Sequence, residues 1–459
     1  MLTKEHITEL KFRENNGIAA LINSCHDAGS IVFILESLGR LPDNFQSDFL
    51  YSLLPHSHSQ VRLNAVKNIG KLNGTFNIDP LVKLYKTETD TGVRREIVSS
   101  IGRQRKKTYK PVLVKFLKDE DPKIVCQAIR GLLVFEKNSD VEKHLKPLIN
   151  HQNEMVRTII FKKYFAEEKQ AKDALPHTET YDFLKNTVVN ADVLEALKFV
   201  PDESVHLTFT SPPYYNARDY SIYPSYKAYL EFLSNVFKEV FRITKEGRFF
   251  LLNTSPVIVP RVSRSHSSRR YPIPFDIHYF LMEMGWEFID DIIWEKPEAS
   301  VKNRIGGFQQ HRKPLGYKPN PVTEYVMVYR KSTEKLLDWN MHQYNKDIAD
   351  NSRVSGGFET SNIWKIDPSF NKTHSAIFPA ELCKRVIQYY SYKGDLVFDP
   401  FGGSGTVGKT ANSLDRLFFM TEQEPVYFEY MKNQQNSSQL FKEFNARFLT
   451  LEQFKEIAK

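Results

Sequence analysis

Apolar residues recur at regular positions through the first third of the chain. Four segments begin an apolar-periodic run after a polar stretch, and they carry Val61, Val93, Ile124 and Val156 at equivalent places, 32, 31 and 32 residues apart. The runs DPLVKLY, KPVLVKFL and LKPLI precede the last three segments, and each places a proline in a short apolar helix. This self-similarity predicts paired antiparallel helices stacked as a solenoid over residues 1–170.

The repeated segments resemble short HEAT-like repeats of about 31 residues. Gly39, Gly70 and Gly102 fall at matching places, which indicates that the array begins before residue 40. An irregular helical domain is the alternative interpretation. A solenoid would offer a long surface to DNA, to another protein or to its own catalytic domain, and the pattern does not choose among them.

Residues 168–180 are polar and lack periodicity, which places a domain boundary near residue 170. Strand-like and helix-like segments then alternate over residues 171–459, which predicts an α/β domain with a largely parallel sheet. Between about 296 and 373 the alternation gives way to Gly, Asn, Pro and basic residues. This change indicates an inserted, loop-rich segment.

Composition narrows the class of protein. A chain of 459 residues with 41% hydrophobic and 26% charged residues fits a soluble globular protein of two or three domains. No apolar run is long enough for a membrane helix, and the N-terminus lacks a signal-peptide core. Cys25, Cys126 and Cys383 match no metal-ligand spacing, so we expect no metal and a reducing, cytoplasmic setting. The net charge of +8 favours a polyanionic partner without establishing one.

The segment TSPPYYNARDY, residues 210–220, follows an apolar strand directly. Its two prolines lack backbone donors and hold the chain extended, which leaves their carbonyls free to accept hydrogen bonds. Ser211 and the carbonyl of Pro212 could accept both hydrogens of an amino group, while Tyr214 could stack on the ring that carries it. Methyl transfer to an aromatic amine needs such acceptors, because they draw the nitrogen toward sp3 geometry. The alternative is a proline-rich turn packed by two tyrosines.

A second segment, GDLVFDPFGGSGTVGKTA at residues 394–411, carries an apolar strand that ends in Asp399. The Gly-rich turn after it opens a helix, so its backbone can approach a ligand and free amides point toward it. The spacing fits neither a phosphate-binding P-loop nor a dinucleotide fingerprint. Glu422, at the end of the next strand, is placed to bind ribose hydroxyls.

Together these motifs resemble those of the DNA amino-methyltransferases over residues 178–435. Residues 210–214 resemble the family's SPPY catalytic motif, and residues 399–406 resemble its DPFxGSGT cofactor motif. THSAIFPAEL, residues 373–382, resembles the HxAxFP segment that closes over the methionine end of the cofactor. NADVLEAL, residues 190–197, resembles the element that opens the domain, with Ala in place of its usual Gly. Met420 stands where the family more often has Gly ahead of the acidic residue.

The resemblance implies a site for S-adenosyl-L-methionine. The catalytic residues that it implies are Ser211, Pro212, Pro213 and Tyr214. The cofactor-binding residues that it implies are Asp192, Thr210, Phe378, Asp399, Phe401, Gly403, Gly405, Thr406 and Glu422. His374 would be a positioning residue, because the target amine loses its proton only after methylation.

The order of the motifs indicates a subgroup. The catalytic motif precedes the cofactor motif by about 190 residues, which resembles the permuted beta group of the family. Methyltransferases of RNA, proteins and small molecules with a related motif usually have the cofactor loop first. The resemblance therefore implies a Rossmann-like methyltransferase fold that takes double-stranded DNA and flips the target base. It also implies a target-recognition region between the motifs, at residues 296–373.

The basic residues of this half suit a DNA partner. Eight Lys or Arg face three Asp or Glu between Glu295 and Lys331, and the loop 260–272 adds four arginines. Arginine suits phosphates and guanine edges, although solvated surface loops are the alternative.

Ser211 at the start of the catalytic motif resembles the N4-cytosine members, since adenine-N6 members more often carry Asp or Asn there. Cytosine N4 is therefore the favoured target, and adenine N6 is the alternative. A catalytically inactive DNA-binding scaffold is a further alternative. A cognate restriction endonuclease is a partner that this role allows, whereas the sequence does not give the oligomeric state or the recognised DNA sequence.

Overall fold

The computed structural model of the protein describes residues 2–12, 17–43, 45–72, 75–135, 139–165, 175–215, 223–259, 263, 265, 269–301, 314, 319–354, 356–369, 379–435 and 445–459. The chain divides into two compact units, Met1–Lys169 and Gln170–Lys459, called here the helical unit and the sheet unit. No described helix is long and apolar enough to cross a membrane.

The described part of the helical unit consists of helices and turns. Its α-helices are α1 (Lys4–Lys11), α2 (Gly17–Asn23), α3 (Ala28–Ser37), α4 (Asp48–Ser52), α5 (Ser59–Ile69), α6 (Asp79–Thr87), α7 (Thr91–Arg103), α8 (Lys110–Phe116), α9 (Pro122–Leu133), α10 (Ser139–Leu145) and α11 (Glu154–Tyr164). The four recurring apolar residues are fully buried, one each in α5, α7, α9 and α11. The predicted helical-repeat fold is confirmed, because these positions form one continuous core.

Glycine sets the packing distance between α7 and α9. A Cβ on Gly131 would lie 2.9 Å from the Cα of Gly102, which is closer than real Cβ atoms approach a backbone. Gly102 and Gly131 therefore allow close packing of α7 and α9. A Cβ on Gly70 would likewise meet Ser100, whereas Gly39 has φ +58° and nothing within 4 Å of an added Cβ.

One expected helix differs: after Leu145 the run LKPLI continues as a 3-10 helix (Lys146–Asn150). The corresponding prolines Pro80 and Pro111 lie instead in the first turns of the α-helices α6 and α8.

The sheet unit alternates strands and helices. Its strands are β1 (Thr187–Asn190), β2 (Val205–Thr210), β3 (Thr244–Thr254), β4 (Val257–Val259), β5 (Arg269–Tyr271), β6 (Trp286–Glu295), β7 (Thr323–Lys331), β8 (Ile363–Lys365), β9 (Leu396–Asp399), β10 (Leu417–Glu422) and β11 (Arg447–Thr450). Its α-helices are α12 (Val193–Leu197), α13 (Tyr226–Ile243), α14 (Ile273–Glu283), α15 (Leu337–His342), α16 (Lys346–Asn351), α17 (Ala380–Tyr390), α18 (Thr406–Ser413), α19 (Pro425–Gln435) and α20 (Leu451–Ile457).

One sheet of nine described strands, in the order β11-β1-β10-β9-β2-β3-β7-β6-β8, forms the centre of this unit. Among the described strands of this sheet, β7 alone runs antiparallel to its neighbours. Helices α12, α13, α14 and α20 contribute to the core on one face, and α17, α18 and α19 to the core on the other. The predicted Rossmann-like α/β class is confirmed. The carboxyl ends of β1, β10, β9, β2, β3 and β6 meet at one edge, together with the start of β7.

Residues 296–373 are not wholly an inserted loop. Strand β7, helices α15 and α16, and strand β8 all lie within that range. Val326 and Val328 of β7 are fully buried in the sheet core. The run TEYVMVYRK itself predicts strand β7, so the error lies in extending the loop-rich segment across it.

Candidate functional site

Thr210 and Asp399 bring the two motifs together. They end the neighbouring parallel strands β2 and β9, and both side chains are buried. The Thr210 hydroxyl donates to Asp399 Oδ1 at 2.6 Å, and the Phe401 backbone N–H donates to the same oxygen at 3.0 Å. The Pro-Pro-Tyr segment and the Gly-rich loop therefore begin side by side.

Asp399 has an unusual protonation equilibrium. Burial raises its pKa to about 7, the charge of Glu422 adds to the rise, and the hydrogen bonds from Thr210 and Phe401 oppose it. Among the described residues neither carboxylate has an ion-pair partner. A buried carboxylate without a cation is costly to ionise, so the site favours a positively charged ligand beside Asp399.

The Gly-rich loop fixes Glu422. The backbone N–H of Gly403 donates to Glu422 Oε2 at 2.6 Å, and that of Glu424 donates to Oε1 at 2.8 Å. Burial raises the pKa of Glu422, while these backbone hydrogen bonds lower it. The carboxylate is thereby oriented at the end of β10, next to the loop.

Gly405 and Thr406 begin helix α18. Gly405 has φ +79°, and a Cβ there would lie 2.9 Å from the Sδ of buried Met431. Only glycine fits this left-handed position so closely packed. The hydroxyls of Thr406 and Ser404 lie 3.0 Å apart in the same turn.

Asp192 is the N-cap of the short helix α12. Its Oδ1 accepts from the backbone N–H groups of Leu194 at 2.8 Å and Glu195 at 3.2 Å. The preceding residue, Ala191, donates its N–H to the carbonyl of Glu422 at 3.1 Å. Asp192 therefore lies at the same sheet edge as Glu422, with one carboxylate oxygen committed to the cap.

Tyr214 is held by its hydroxyl. The segment Ser211–Tyr214 follows β2, with Pro212 buried and the others partly buried. The Tyr214 hydroxyl donates to Glu324 Oε2 at 3.0 Å. Burial raises the pKa of Tyr214 well above its usual value, as does the charge of Glu324, while the nearby hydroxyls of Ser211 and Ser255 lower it.

Three residues at this site were missed by the sequence analysis. Asn253 Nδ2 donates to Glu324 Oε2 at 2.8 Å, and the Lys296 ammonium pairs with Glu324 Oε1. Asn253 and Lys296 were detectable in principle, since each is a polar residue at or just after the end of an apolar strand. Glu324 was not, because its place depends on the reversed direction of β7.

Some of the predicted features are not covered by the structure. Phe378 and His374 lie outside the described residues, as do five of the eight basic residues counted between Glu295 and Lys331. The expectation from the charge count is wrong for the other three basic residues, because their side chains have partners within the fold. Lys296 pairs with Glu324, Arg330 donates to Gly247 O, and Lys331 donates to Thr244 O. Charge counting cannot detect such internal partners.

No group of three or more His, Cys, Asp or Glu in the described part of the chain could hold a metal ion. Cys25 is half-buried, Cys126 and Cys383 are buried, and all three are free.

The fold and the joined motifs define an α/β protein with a ligand site at the carboxyl edge of its sheet. The model of the DNA methylase family matches residues 205–433, and this part of the chain belongs to that family. The HEAT-repeat model matches residues 78–161, so the helical unit contains HEAT repeats.

Individual relatives align with the sheet unit. The type II beta methyltransferase M.BslI of Bacillus sp. is 29% identical over 261 residues, which cover 54% of this chain and 27% of that protein. The type II methyltransferase M.Cfr9I of Citrobacter freundii is 28% identical over 294 residues, 57% of this chain and 91% of the relative. A candidate DNA modification methylase of Thermus thermophilus, solved with S-adenosyl-L-methionine, is 25% identical over 58% of this chain and 98% of its own, with a TM-score of 0.45.

Proposed function

We propose that the protein is a DNA methyltransferase that transfers a methyl group from S-adenosyl-L-methionine to the exocyclic amino group of a flipped base. The hydrogen bond between Thr210 and Asp399 is the observation that carries this proposal. It places the acceptor-rich segment that would hold the amine directly beside the loop that would hold the cofactor.

The described residues fit S-adenosyl-L-methionine. Asp399 offers a buried carboxylate to a cationic ligand, and Glu422 offers an oriented carboxylate to ribose hydroxyls. The left-handed turn at Gly405 would let the backbone of the loop approach the cofactor closely. The proposed cofactor site comprises Asp192, Thr210, Phe378, Asp399, Phe401, Gly403, Gly405, Thr406 and Glu422. When bound, the cofactor would supply a methyl group on a positively charged sulfur.

The catalytic segment would activate the amine. Ser211 and the Pro212 carbonyl accept its hydrogens, so the nitrogen lone pair moves out of conjugation with the ring. Pro213 keeps the segment extended, and Tyr214 stacks on the base. The nitrogen forms a bond to the methyl carbon as the carbon–sulfur bond breaks onto sulfur. The methylated nitrogen then releases a proton to solvent.

Cytosine N4 is the proposed target, because the motif begins with Ser211 rather than Asp or Asn. Adenine N6 is the second candidate, and an inactive DNA-binding scaffold is the third. Basic residues of the segments 260–272 and 296–373 would contact DNA, with the latter as the target-recognition region, whereas Lys296, Arg330 and Lys331 are engaged within the sheet unit. A cognate restriction endonuclease is a compatible partner, although the transfer chemistry does not require one.

One experiment tests the function. The full-length protein is incubated with unmethylated double-stranded DNA and methyl-labelled S-adenosyl-L-methionine, and the digested nucleosides are analysed by mass spectrometry. We expect N4-methylcytosine. N6-methyladenine would replace the proposed target by the second candidate, and transfer to neither base would reject the proposed function.

A further inference from the structure

Three polar groups meet at the carboxylate of Glu324. Oε2 accepts from the hydroxyl of Tyr214 at 3.0 Å and from Asn253 Nδ2 at 2.8 Å. Oε1 pairs with the ammonium of Lys296. These four residues are called here the Glu324 cluster. Asn253 is buried, and the side chains of Lys296 and Glu324 are partly buried, with 16% and 14% of their surface exposed.

The reversed strand explains why the cluster forms. Asn253 lies near the carboxyl end of β3, and Lys296 follows the carboxyl end of β6. Between them β7 runs antiparallel, so its second residue, Glu324, lies at the same edge of the sheet as the Pro-Pro-Tyr segment. A parallel strand would have placed this residue at the opposite edge.

We propose that Glu324 is a positioning residue that holds the ring of Tyr214 in the orientation required to stack on the target base, with Asn253 and Lys296 fixing the carboxylate. This inference rests on the proposed function and names a residue outside both motifs that gave it.

The contacts on both oxygens make Glu324 a rigid support. Rotation of the carboxylate would break bonds to Asn253 and Lys296, so the acceptor for the Tyr214 hydroxyl stays in place. Lys296 supplies the opposite charge that offsets the desolvation of this partly buried carboxylate. Lys296 is itself ordered, because its ammonium lies 4.7 Å from the ring centroid of buried Trp294.

A double-mutant cycle in the full-length protein tests the coupling. The variants are Tyr214→Phe, Glu324→Ala and their combination, and kcat and KM are measured with unmethylated double-stranded DNA and labelled S-adenosyl-L-methionine. We expect each single variant to lower kcat by about 10- to 100-fold, because misplacing a reacting partner has that effect. The double variant should be no slower than either single one. Glu324→Gln keeps an oxygen acceptor and should recover most of the rate.

A second readout does not depend on turnover. With 3-fluorotyrosine at position 214, the fluorine NMR signal should shift or sharpen in Glu324→Ala and stay near the wild-type position in Glu324→Gln. Tyr344→Phe is the matched control, because it also removes a hydroxyl that donates to a buried carboxylate, Asp395, at 2.5 Å. Tyr344→Phe should leave both the fluorine signal and kcat unchanged.

The outcomes separate the two proposals. Additive losses in the cycle, or an unchanged fluorine signal in Glu324→Ala, would overturn the positioning role. No methyl transfer by the wild-type protein, together with a fluorine signal that depends on Glu324, would overturn the proposed function while supporting the contact.

Discussion

Asp399 connects the two motifs. It ends β9 and precedes the Gly-rich turn, and its carboxylate accepts hydrogen bonds from the hydroxyl of Thr210, at the end of β2, and from the N–H of Phe401. Its pKa of about 7, against an ordinary value of 3.8, means that the folded protein without ligand keeps a proton there through mildly acidic conditions. A cationic ligand reverses this preference, since it stabilises the carboxylate. Ligand binding and proton release should therefore be linked at this residue.

The affinity for S-adenosyl-L-methionine should rise with pH between about 5 and 7. Below the raised pKa the ligand must expel the proton of Asp399, so the dissociation constant should fall by up to about tenfold per pH unit as pH increases. Calorimetry at several pH values measures this, with proton release checked in buffers of different ionisation enthalpy. Asp399→Asn should bind weakly and without this pH dependence. A wild-type affinity that is flat across the interval would contradict the linkage.

Ser211 can be tested against a neighbour of the same chemistry. Ser211→Ala removes a proposed acceptor for the amine, and kcat should fall by about 100-fold, the order found for loss of one catalytic hydrogen-bonding group. The dissociation constant for S-adenosyl-L-methionine should stay unchanged. Ser255→Ala is the matched control, because its hydroxyl also lies near Tyr214 but outside the motif. Normal turnover by Ser211→Ala would mean that the acceptor lies elsewhere.

At the scale of elements, the strand–turn–helix from β9 to α18 was predictable because its signals are local. An apolar run, an acidic residue and closely spaced glycines specify a strand that turns into a helix. The place of β7 was not predictable in the same way. Its residues alone indicate a strand, but its direction and neighbours are set by sheet packing, which also decides that Lys296 meets Glu324.

The turn at Gly405 should be intolerant of any side chain. Gly405→Ala adds both left-handed strain and a contact with Met431, so we expect a loss of about 1–3 kcal/mol in unfolding free energy and weaker cofactor binding. Gly394→Ala is the control, because Gly394 has φ +86° and nothing within 4 Å of an added Cβ. Thermal unfolding and calorimetry compare the two. Equal effects would assign the loss to backbone strain alone.

At the scale of the whole molecule, the contact between Thr210 and Asp399 joins residues 189 positions apart. The local sequence around Thr210 and around Asp399 indicates that each residue ends a strand. The resemblance to a known family indicates that both residues serve one site. The hydrogen bond itself follows from strand order, which no local pattern specifies. For the same reason the charge pattern predicts a DNA-facing surface that includes Lys296 and Lys331, whereas both side chains have partners inside the sheet unit.

A second polar network, at the opposite ends of the strands, should make the sheet unit sensitive to acid. His206 is buried with its Nδ1 accepting from the N–H of Leu396 at 3.0 Å, and burial lowers its pKa to about 3. The unfolded chain takes up this proton near pH 6.5 and the folded one does not, so stability present at neutral pH is lost as pH falls. The loss should approach about 1.4 kcal/mol per pH unit for one histidine.

Thermal unfolding of the full-length protein between pH 7.5 and 5 measures this dependence, and His206→Asn should lower its slope, with the remainder carried by His177, whose pKa burial also lowers to about 3. His26→Asn is the control, because it removes an exposed histidine from the connection between α2 and α3. A pH dependence that is the same in wild type and His206→Asn would assign the acid sensitivity to other groups.

We propose that the helical unit adds contacts to DNA and takes no part in the methyl transfer, because the sheet unit already carries both motifs. Its most basic run is Arg103–Lys107, in which Arg105, Lys106 and Lys107 are exposed. Changing these three residues to Gln should weaken DNA binding and lower the log–log salt slope by about 0.9 for each phosphate that is no longer neutralised. The methylated base should stay the same.

The control for this test removes the same charge elsewhere in the helical unit. Lys83, Lys86 and Lys115 are exposed on α6 and α8, and changing them to Gln alters net charge equally. Affinities for one duplex are measured at several salt concentrations for both triple variants. If only general electrostatic attraction operates, the salt slope should fall equally in the two variants, whereas a local contact should lower it only in the Arg105, Lys106 and Lys107 variant. A slope that stays at the wild-type value in the Arg105, Lys106 and Lys107 variant would exclude phosphate binding by this run. The repeats would then be assigned to a protein partner or to stabilising the fold.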